Sequence, residues 1–481
     1  MGLTQGRVTR RRFLRTASAA LPSTLLVNCA TDQPMYRLAS FSTDVTPPLG
    51  HGLLAGVIEP AREIVDPLLA QGVVLTGPES PIVIVGVDWC EIRNDAHERW
   101  RHVLATAAGT SPDRVVVSTL HQHDTPVMDL EAQRLLDAQG LGGLLCDPEF
   151  HERAVAGVAD ALRASLPGAR PVTHIGTGQG RVDAIASNRR VETPAGHVSF
   201  DRSAVVPDPE LRSLPEGLID PWLKTLSFWD GDEPIAAISC FAVHPITNYG
   251  QGFVSSDYVG LARQRMQQDH PSVAQIYLTG CAGDVTAGKF NDGNLDNRAV
   301  LAERVYEGMQ AAWKATERIA LAPVKFRSLP LDLPLRSSPG FSREDQEKEV
   351  ADSTLPNKTR AVSAMGASWW RRYDGGERLD IPVVDFGPAR LLLCPGETFV
   401  QYQLWAQEMR PDLSVVAVGY GDSAPGYIPT QKASDEGFDR RRRSIKTWMW
   451  ADPDRAESAM LPALAKAMDV EGKPGNWRRT G

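Results

Sequence analysis

Short runs of apolar residues alternate along the chain with segments whose apolar residues recur every three or four positions. Residues 81–89, PIVIVGVDW, are almost all apolar, as expected for a strand that is covered on both faces. Residues 94–109 follow with apolar positions at helical spacing and a glycine at the end. Residues 114–120, RVVVSTL, then form another apolar run. The pattern predicts a strand–helix–strand unit.

The same alternation continues through the rest of the chain. Further strands are predicted at residues 236–243, 274–280, 389–396 and 414–421, and further helices at residues 258–268, 295–315 and 398–409. Strands that alternate with helices favour an α/β fold with parallel or mixed sheets. No Pro- or Gly-rich linker interrupts the pattern. We therefore predict a single layered α/β domain with mixed β-sheets and flanking helices, carrying a polar insertion at about residues 337–380.

The first 34 residues differ in character from the rest of the chain. TRRRFLR, residues 9–15, precedes a weakly apolar stretch that is too short to span a bilayer. This order is typical of a twin-arginine export signal, with residues 1–34 as the signal and a short linker. The alternative is a disordered basic start of a cytoplasmic protein. LLVNC makes Cys29 a candidate lipid anchor, with plain signal cleavage as the alternative, so we expect a periplasmic or cell-surface protein.

Charge and cysteine content narrow the classes of function. Removal of residues 1–28 takes away five arginines and no acids, which leaves 46 basic against 59 acidic residues and a net charge of −13. An acidic surface argues against nucleic acid as a partner. No later run is long and apolar enough to predict a transmembrane segment. The five cysteines after Cys29 show no paired spacing, which indicates buried thiols rather than a disulfide framework.

Reactive side chains follow five of the predicted strands. They are His121 and His123, His244, Cys281 with Asp284 and Thr286, Glu397, and Asp422 with Tyr427. Ligands of α/β sheets bind in the crevice beyond the carboxyl ends of the strands. We therefore predict an active site at the strand carboxyl ends.

Two histidines and a carboxylate from different strands form a suitable ligand set for zinc. His121 and His123 are two residues apart, so on a strand they point to the same face. Pro245 holds the preceding His244 in an extended conformation. A catalytic zinc keeps one position open for water and lowers the pKa of that water to near neutrality. For any one histidine taken alone, the alternative is a core residue that donates to a backbone carbonyl.

Other candidate residues have equally ordinary interpretations. Asp284 is either functional or a turn-forming residue. Tyr427 could simply pack against its loop, since tyrosine is an uncommon zinc ligand. Cys281 and Cys394 lie near candidate site residues but have no local basic partner, so we interpret them as inert thiols.

Several motifs resemble those of one enzyme family. STLHQHDTP is similar to the S-x-T-H-T-H-S-G-P element of neutral ceramidases, the zinc amidases that cleave the N-acyl bond of ceramide. ISCFAVHPITN, VSSDYVG, LTGCAGDVTAG, CPGETF, GDSAPGYIPT and SNRR resemble further elements in the same order. The resemblance covers nearly all of residues 35–469. It implies a ceramidase-like zinc hydrolase domain, which we bound at residues 35–475, with residues 476–481 as a tail.

The resemblance also implies roles for individual residues. Zinc would be held by four ligands, His121, His244, Glu397 and Tyr427. His123 would lie in the proton-transfer path, and Arg189 would meet a polar group of the substrate. Asp284 and Thr286 fall in the family's G-D-V-S-P element and are further catalytic candidates. Thr286 stands at the position of the family's serine, and Asp124-Thr125-Pro126 replaces S-G-P after the histidines.

The leading functional hypothesis is a zinc-dependent hydrolase that cleaves a linear N-acyl amide through metal-activated water. Its partner would be a small-molecule or lipid-like amide substrate. A second hypothesis keeps the metal and changes the substrate to an ester or to an amide of a wall or glycan component. A third is a metal-stabilised surface binding protein without catalysis.

Overall fold

The computed structural model describes residues 36–438 and 448–470. Within these ranges we number the strands and α-helices in chain order. The strands are β1 Tyr36–Asp44, β2 Glu63–Ile64, β3 Leu69–Thr76, β4 Ile82–Val87, β5 Glu91–Ile92, β6 Val115–Thr119, β7 Val127–Met128, β8 Arg170–Val172, β9 His174–Arg181, β10 Ser187–Asn188, β11 Val191–Glu192, β12 Val198–Ser199, β13 Trp222–Asp230, β14 Glu233–Phe241, β15 Phe253–Val254, β16 Ala274–Thr279, β17 Val285–Thr286, β18 Glu317–Ala320, β19 Lys325–Leu331, β20 Leu379–Asp385, β21 Ala389–Leu393, β22 Glu397–Thr398, β23 Ser414–Val418 and β24 Tyr427–Ile428. The helices are α1 Asn94–Ala108, α2 Leu130–Asp137, α3 Pro148–Ser165, α4 Pro209–Ser213, α5 Asp257–Asp269, α6 Asn297–Lys314, α7 Arg343–Ala351, α8 Asn357–Asp374, α9 Val400–Met409, α10 Gln431–Asp435 and α11 Ala456–Ala467.

Three mixed sheets form the framework of the described residues. Their strand orders are β6-β4-β3-β1-β8, β16-β14-β13-β9-β18 and β23-β21-β20-β19. Each sheet has one parallel pair at its edge, followed by an antiparallel run of four strands in the first two sheets and of three strands in the third, which lacks the fifth strand. Each parallel pair is connected through a helix, as β4–α1–β6, β14–α5–β16 and β21–α9–β23. The three sheets therefore share one topology, although the sequence shows no repeat.

The parallel pairs are the most deeply buried strands, which explains their continuous apolar sequences. Every residue of β4, β6 and β21 is buried. Helix α1 starts at Asn94, as the sequence predicts, and ends before Gly109, whose φ of 70° only glycine adopts without strain. The predicted α/β class with mixed sheets and flanking helices is confirmed. The described residues cluster as one compact unit.

The polar segment at 337–380 lies between two neighbouring strands of the third sheet. β19 and β20 are antiparallel partners, with Leu331 opposite Leu379. The chain between them forms α7 and α8. The apolar face of α8, which includes Met365 and Trp369, is buried in the main hydrophobic core.

Two sets of sequence predictions fall outside the described residues. The export signal at residues 1–34, with the candidate lipid anchor Cys29, is one set. The tail at residues 476–481 is the other. In the part of the chain that the structure describes, no helix has both the length and the apolarity to cross a bilayer.

Candidate metal centre

The carboxyl ends of one strand from each large sheet are joined by backbone hydrogen bonds. Gly419 N donates to Thr279 O at 2.9 Å, and Thr119 N donates to Tyr420 O at 3.0 Å. The Thr279 hydroxyl donates to Leu120 O at 2.9 Å. Strands β6, β16 and β23 therefore end at one place, together with β14 and β21, the parallel neighbours of β16 and β23.

Three donor side chains meet at this place. His121 follows β6, His244 follows β14 and Glu397 follows β21. The Glu397 Oε2 atom lies 3.0 Å from His244 Nε2 and 3.4 Å from His121 Nε2. One donor atom from each side chain lies within 4.8 Å of the other two, and all three residues are buried. These are three of the four zinc ligands that the family resemblance implies.

The hydrogen bonds on the far side of each imidazole indicate which nitrogen carries the proton. His244 Nδ1 lies 2.7 Å from Ala282 O, and His121 Nδ1 lies 3.0 Å from Cys90 O. Because a carbonyl only accepts, each Nδ1 is the donor, and in the neutral imidazole Nε2 offers a lone pair. His121 Nε2 is buried and has no hydrogen-bond partner. Two lone pairs and a carboxylate facing one another fit a divalent cation between them.

Two residues of the site hold left-handed backbone conformations. The φ angles are 72° at His121 and 56° at Tyr420. Such conformations cost a non-glycine residue about 1–3 kcal/mol and persist only where the surroundings impose them. The His121 ring stacks on the Tyr420 ring with centroids 4.4 Å apart, and His121 N donates to Trp89 O. The strand end is therefore bent to present the His121 ring.

Tyr427 and Arg189 complete the surroundings of the carboxylate. The short parallel pair β22–β24 sets Glu397 directly opposite Tyr427. Arg189 Nη2 donates to the Tyr427 hydroxyl at 3.2 Å and lies 3.3 Å from His244 Nε2. Arg189 Nε donates to Gly283 O, which fixes the direction of the guanidinium. The structure thus brings Tyr427, the fourth predicted ligand, and Arg189 to the same centre.

The electrostatics of the site are dominated by burial and by the carboxylate. Burial and the positive charge of Arg189 lower the pKa of His244 to about 4. Burial opposes the charge on His121 as well, but Glu397 and Glu91 offset it, and the pKa of His121 is raised. Burial also works against the charge on Glu397, yet His121 and His244 hold the pKa of Glu397 well below its usual range. The carboxylate is therefore ionised at neutral pH.

His123 lies beside the three donors rather than among them. Its ring centroid is 5.1 Å from that of His121 and 5.9 Å from that of His244. Burial and the neighbouring imidazoles lower the pKa of His123 well below its usual value. His123 is therefore a neutral imidazole at neutral pH, placed next to the centre.

The side chains of Asp284 and Thr286 form hydrogen bonds with neighbouring protein groups. The Asp284 carboxylate accepts hydrogen bonds from Asn188 Nδ2 and from Val400 N, both at 2.8 Å. The Thr286 hydroxyl donates to Ser203 O at 3.0 Å. These contacts hold the segment after β16 against α9 and its neighbours. A catalytic role for either residue stays a prediction.

The centre lies at one side of a cavity of about 880 Å³. His123, Arg189, Glu397 and Tyr427 line the cavity near the centre. Its other walls combine apolar and polar side chains from several elements. Those walls include Leu54, Val57, Val205, Ile246, Tyr249, Phe341, Gln346, Glu349, Lys358, Thr359, Val362, Ser363 and Trp448. Helices α7 and α8 of the polar insertion thus form one wall of the cavity.

Sequence reasoning missed two residues of the site. Tyr420 stacks on His121, and its hydroxyl lies 3.3 Å from His244 Nδ1. Glu91 is buried, pairs with Arg93 at 2.7 Å and accepts from Trp448 Nε1 at 2.9 Å. Glu91 follows a predicted strand and Tyr420 lies near the end of another, so the strand-end rule could have found them. Tyr420 was passed over because a tyrosine in an apolar run is typical of a packing residue.

A second group of metal-capable side chains consists of His97, Glu98 and Asp422. The Arg372 guanidinium donates to the Asp422 carboxylate, and Arg101 donates to Glu98. Arginines of the protein itself therefore already pair with both carboxylates of this group. This group has a structural explanation without a metal.

No protein-family model and no curated protein match the chain. Among solved structures, the neutral ceramidase from Pseudomonas aeruginosa superposes with a TM-score of 0.65 over 92% of this chain and 76% of that chain, at 19% sequence identity. A ceramidase complexed with C2 gives the same TM-score and coverage at 17% identity. This chain has the neutral ceramidase fold.

The neutral ceramidase fold was the fold implied by the sequence motifs, and that expectation is confirmed. At this level of identity the comparison shows the fold alone.

Proposed function

We propose that this protein is a zinc-dependent hydrolase of linear N-acyl amides. The observation that carries the proposal is the meeting of His121 Nε2, His244 Nε2 and Glu397 Oε2 beside a large cavity. Two imidazole nitrogens and a carboxylate are a ligand set that zinc prefers. The ceramidases that share the fold support the choice of an amide as substrate.

The residues that would hold the ion are His121, His244, Glu397 and Tyr427. Zinc bound there would act as a Lewis acid on the amide carbonyl and would supply hydroxide at neutral pH. The carbonyl hydrogen bonds to Nδ1 of each histidine keep the Nε2 lone pairs turned towards the ion. Arg189 would help Tyr427 to ionise, because its guanidinium already donates to the phenol oxygen.

The remaining polar side chains of the centre have roles in moving a proton and stabilising charge. A ring nitrogen of the neutral His123 accepts a proton from the attacking water and returns it to the leaving amine, which cannot depart as an anion. Arg189 places its positive charge where the carbonyl oxygen becomes negative in the transition state. Walls that include Leu54, Val57 and Val362 exclude water from the apolar part of the substrate.

A substrate panel tests the proposal directly. The purified protein is incubated with N-acyl amides of varied acyl and amine portions, with matched esters, and with a wall-type amide, in each case with and without chelator. We expect hydrolysis of N-acyl amides that chelator abolishes and added zinc restores. Preferential hydrolysis of esters or of the wall amide would favour the second hypothesis. One bound metal equivalent without any hydrolysis would favour a binding protein.

We also propose that the chain is exported by the twin-arginine route. The support is the TRRRFLR sequence ahead of a short apolar stretch. Replacement of Arg10 and Arg11 by lysine should retain the full-length chain in the cytoplasm. Mass spectrometry of the mature N-terminus distinguishes plain cleavage from acylation of Cys29, and secretion of the double variant at the normal rate would contradict the proposed route.

A further inference from the structure

The loop that follows His244 is anchored by the carboxylate of Asp124. Gly250 N donates to Asp124 Oδ1 at 2.7 Å, while Gln251 N and Gly252 N donate to Oδ2 at 2.9 and 3.1 Å. Asp124 is buried. Three successive backbone N–H groups thus converge on one carboxylate, and such charge-assisted bonds are stronger than neutral ones.

The rest of the same loop is held by independent contacts. Thr247 N and the Thr247 hydroxyl donate to the buried Asp257 carboxylate at 2.9 and 2.8 Å. On the other side of the Asp124 contacts, the loop pairs with the chain at 62–64, as Arg62 N donates to Gly252 O and β15 pairs with β2. Between the two carboxylate anchors lie only Asn248 and Tyr249. The anchors therefore restrict where the Tyr249 ring can lie.

Tyr249 is a large aromatic residue at an open face of the cavity. Its side chain lines the cavity beside His123, with ring centroids 5.5 Å apart, and the residue is 49% exposed. Asp124 is the residue directly after His123 in the chain. His123 and Asp124 are therefore neighbours in the chain with linked positions. His123 supplies the imidazole beside the metal centre, and Asp124 supplies the carboxylate that fixes the Tyr249 ring.

We propose that Asp124 is a positioning residue that holds Tyr249 against the amine side of the cavity, and that the Tyr249 ring selects the amine portion of the substrate. The inference rests on the proposed function, in which His123 protonates the leaving amine. Whatever is bonded to that amine lies beside His123, and so it contacts the neighbouring Tyr249 ring. Aromatic rings contribute large contact areas with little loss of conformational freedom.

Hydrogen exchange tests the anchoring without any turnover. Asp124→Asn keeps the side-chain volume but replaces one acceptor oxygen by an NH₂ group, which faces backbone N–H donors. We expect the amides of Gly250, Gln251 and Gly252 to exchange at least about tenfold faster in the variant. Asp232→Asn, at an exposed turn, is the matched control and should leave their exchange unchanged. Equal protection of these amides in Asp124→Asn and in the unmodified protein would overturn the anchoring.

Steady-state kinetics test the selection of the amine portion. One substrate series keeps the acyl chain and enlarges the amine portion, and a second series does the reverse. Tyr249→Ala should raise KM about tenfold for large amine portions, which corresponds to the loss of one partly buried aromatic contact. It should leave kcat and the acyl series unchanged, and Tyr249→Phe should restore the low KM. Equal effects on both series would overturn the assignment to the amine side.

A double-variant cycle separates a positioning role from a general structural one. Asp124→Asn should raise KM for the same substrates as Tyr249→Ala does, and should add nothing in the Tyr249→Ala background. A further loss of kcat in that background would mean that Asp124 acts through His123, and would overturn the proposal. If the unmodified protein cleaves no amide, the proposed function fails and the amine-side selection fails with it, while the exchange measurement still decides the anchoring.

Discussion

At the scale of single residues, the centre is defined by an excess of acceptors. Three groups face one another: His121 Nε2, His244 Nε2 and the Glu397 carboxylate. The Nδ1 atom of each histidine donates a hydrogen bond to a backbone carbonyl. A buried acceptor without a donor costs about 1–3 kcal/mol in an ordinary core. A cation among the acceptors would offset that cost, so these three residues fit a metal site.

Loss of a ligand should therefore remove the metal. His244→Ala and Glu397→Ala should each reduce zinc content from about one equivalent to nearly zero, because each removes one of the four proposed ligands. Elemental analysis of the purified variants measures the change. His174→Ala replaces a histidine of β9 that lies outside the centre and should bind zinc normally. Unchanged metal in both ligand variants would remove the proposed site.

Asp257 should make stability depend on pH. Burial raises its pKa to about 6, despite hydrogen bonds from Thr247. Folding therefore favours the protonated carboxyl. The resulting stabilisation is complete below about pH 4 and is lost as pH rises through about 6, a loss on the order of 3 kcal/mol.

Comparison of two unfolding curves isolates this contribution. Asp257→Asn cannot titrate, so its free energy of unfolding should fall less between about pH 4 and 6 than that of the unmodified protein. Urea unfolding at a series of pH values measures both curves. Parallel curves would contradict a raised pKa at Asp257.

At the scale of elements, helix α8 joins the cavity wall to the strand ends. Arg372 donates to Asp422, which follows β23, and both side chains are only 7% exposed. Ser368 Oγ donates to Asp129 at the start of α2. The polar sequence of the insertion thus includes side chains that form buried hydrogen bonds. These hydrogen bonds hold α8 in place at the cavity wall.

Neighbouring arginines on α8 should differ in their effect on stability. Arg372→Met leaves the buried Asp422 carboxylate without its cation and should cost about 3–5 kcal/mol. Arg371→Met removes an arginine that is 39% exposed and pairs with Glu131 and Glu347, and should cost less than about 1 kcal/mol. Chemical denaturation measures both. Similar losses would show that the Arg372 pair contributes little to holding α8.

At the scale of the whole molecule, the donors come from three sheets of the same topology. His121 follows a strand of the first sheet, His244 one of the second and Glu397 one of the third. A ligand that binds only the folded state stabilises it in proportion to the logarithm of its free concentration. A metal at this centre would therefore tie the three sheets together.

Chelation should lower the stability of the entire described fold. With free zinc at 100 times its Kd, removal of the ion should cost about 2.7 kcal/mol and lower the Tm in one cooperative transition. Calorimetry with and without chelator measures the effect. Glu397→Ala should have the same Tm in both conditions. A chelator effect of equal size in that variant would mean that the stabilising metal binds elsewhere.

The sequence by itself determined the secondary structure around the site and the strand ends at which the candidate donors lie. β4, β6 and β21 are buried on both faces, so their apolar runs carry the full signal of a strand. A strand that ends in a histidine or a glutamate then marks a candidate ligand, and the family motifs supplied the full set. Tyr427 and Arg189 came instead from the family motifs, because their own neighbourhoods are typical of packing and of surface residues.

Only the tertiary structure decided how these pieces meet. The common topology of the three sheets leaves no repeat in the sequence, because a topology constrains hydrogen-bond pairing and not residue identity. Tyr420 under His121 and the Asp124 contacts to the 250–252 backbone join residues more than 100 positions apart. Contacts at that separation depend on the packing of whole sheets, and no local pattern records them.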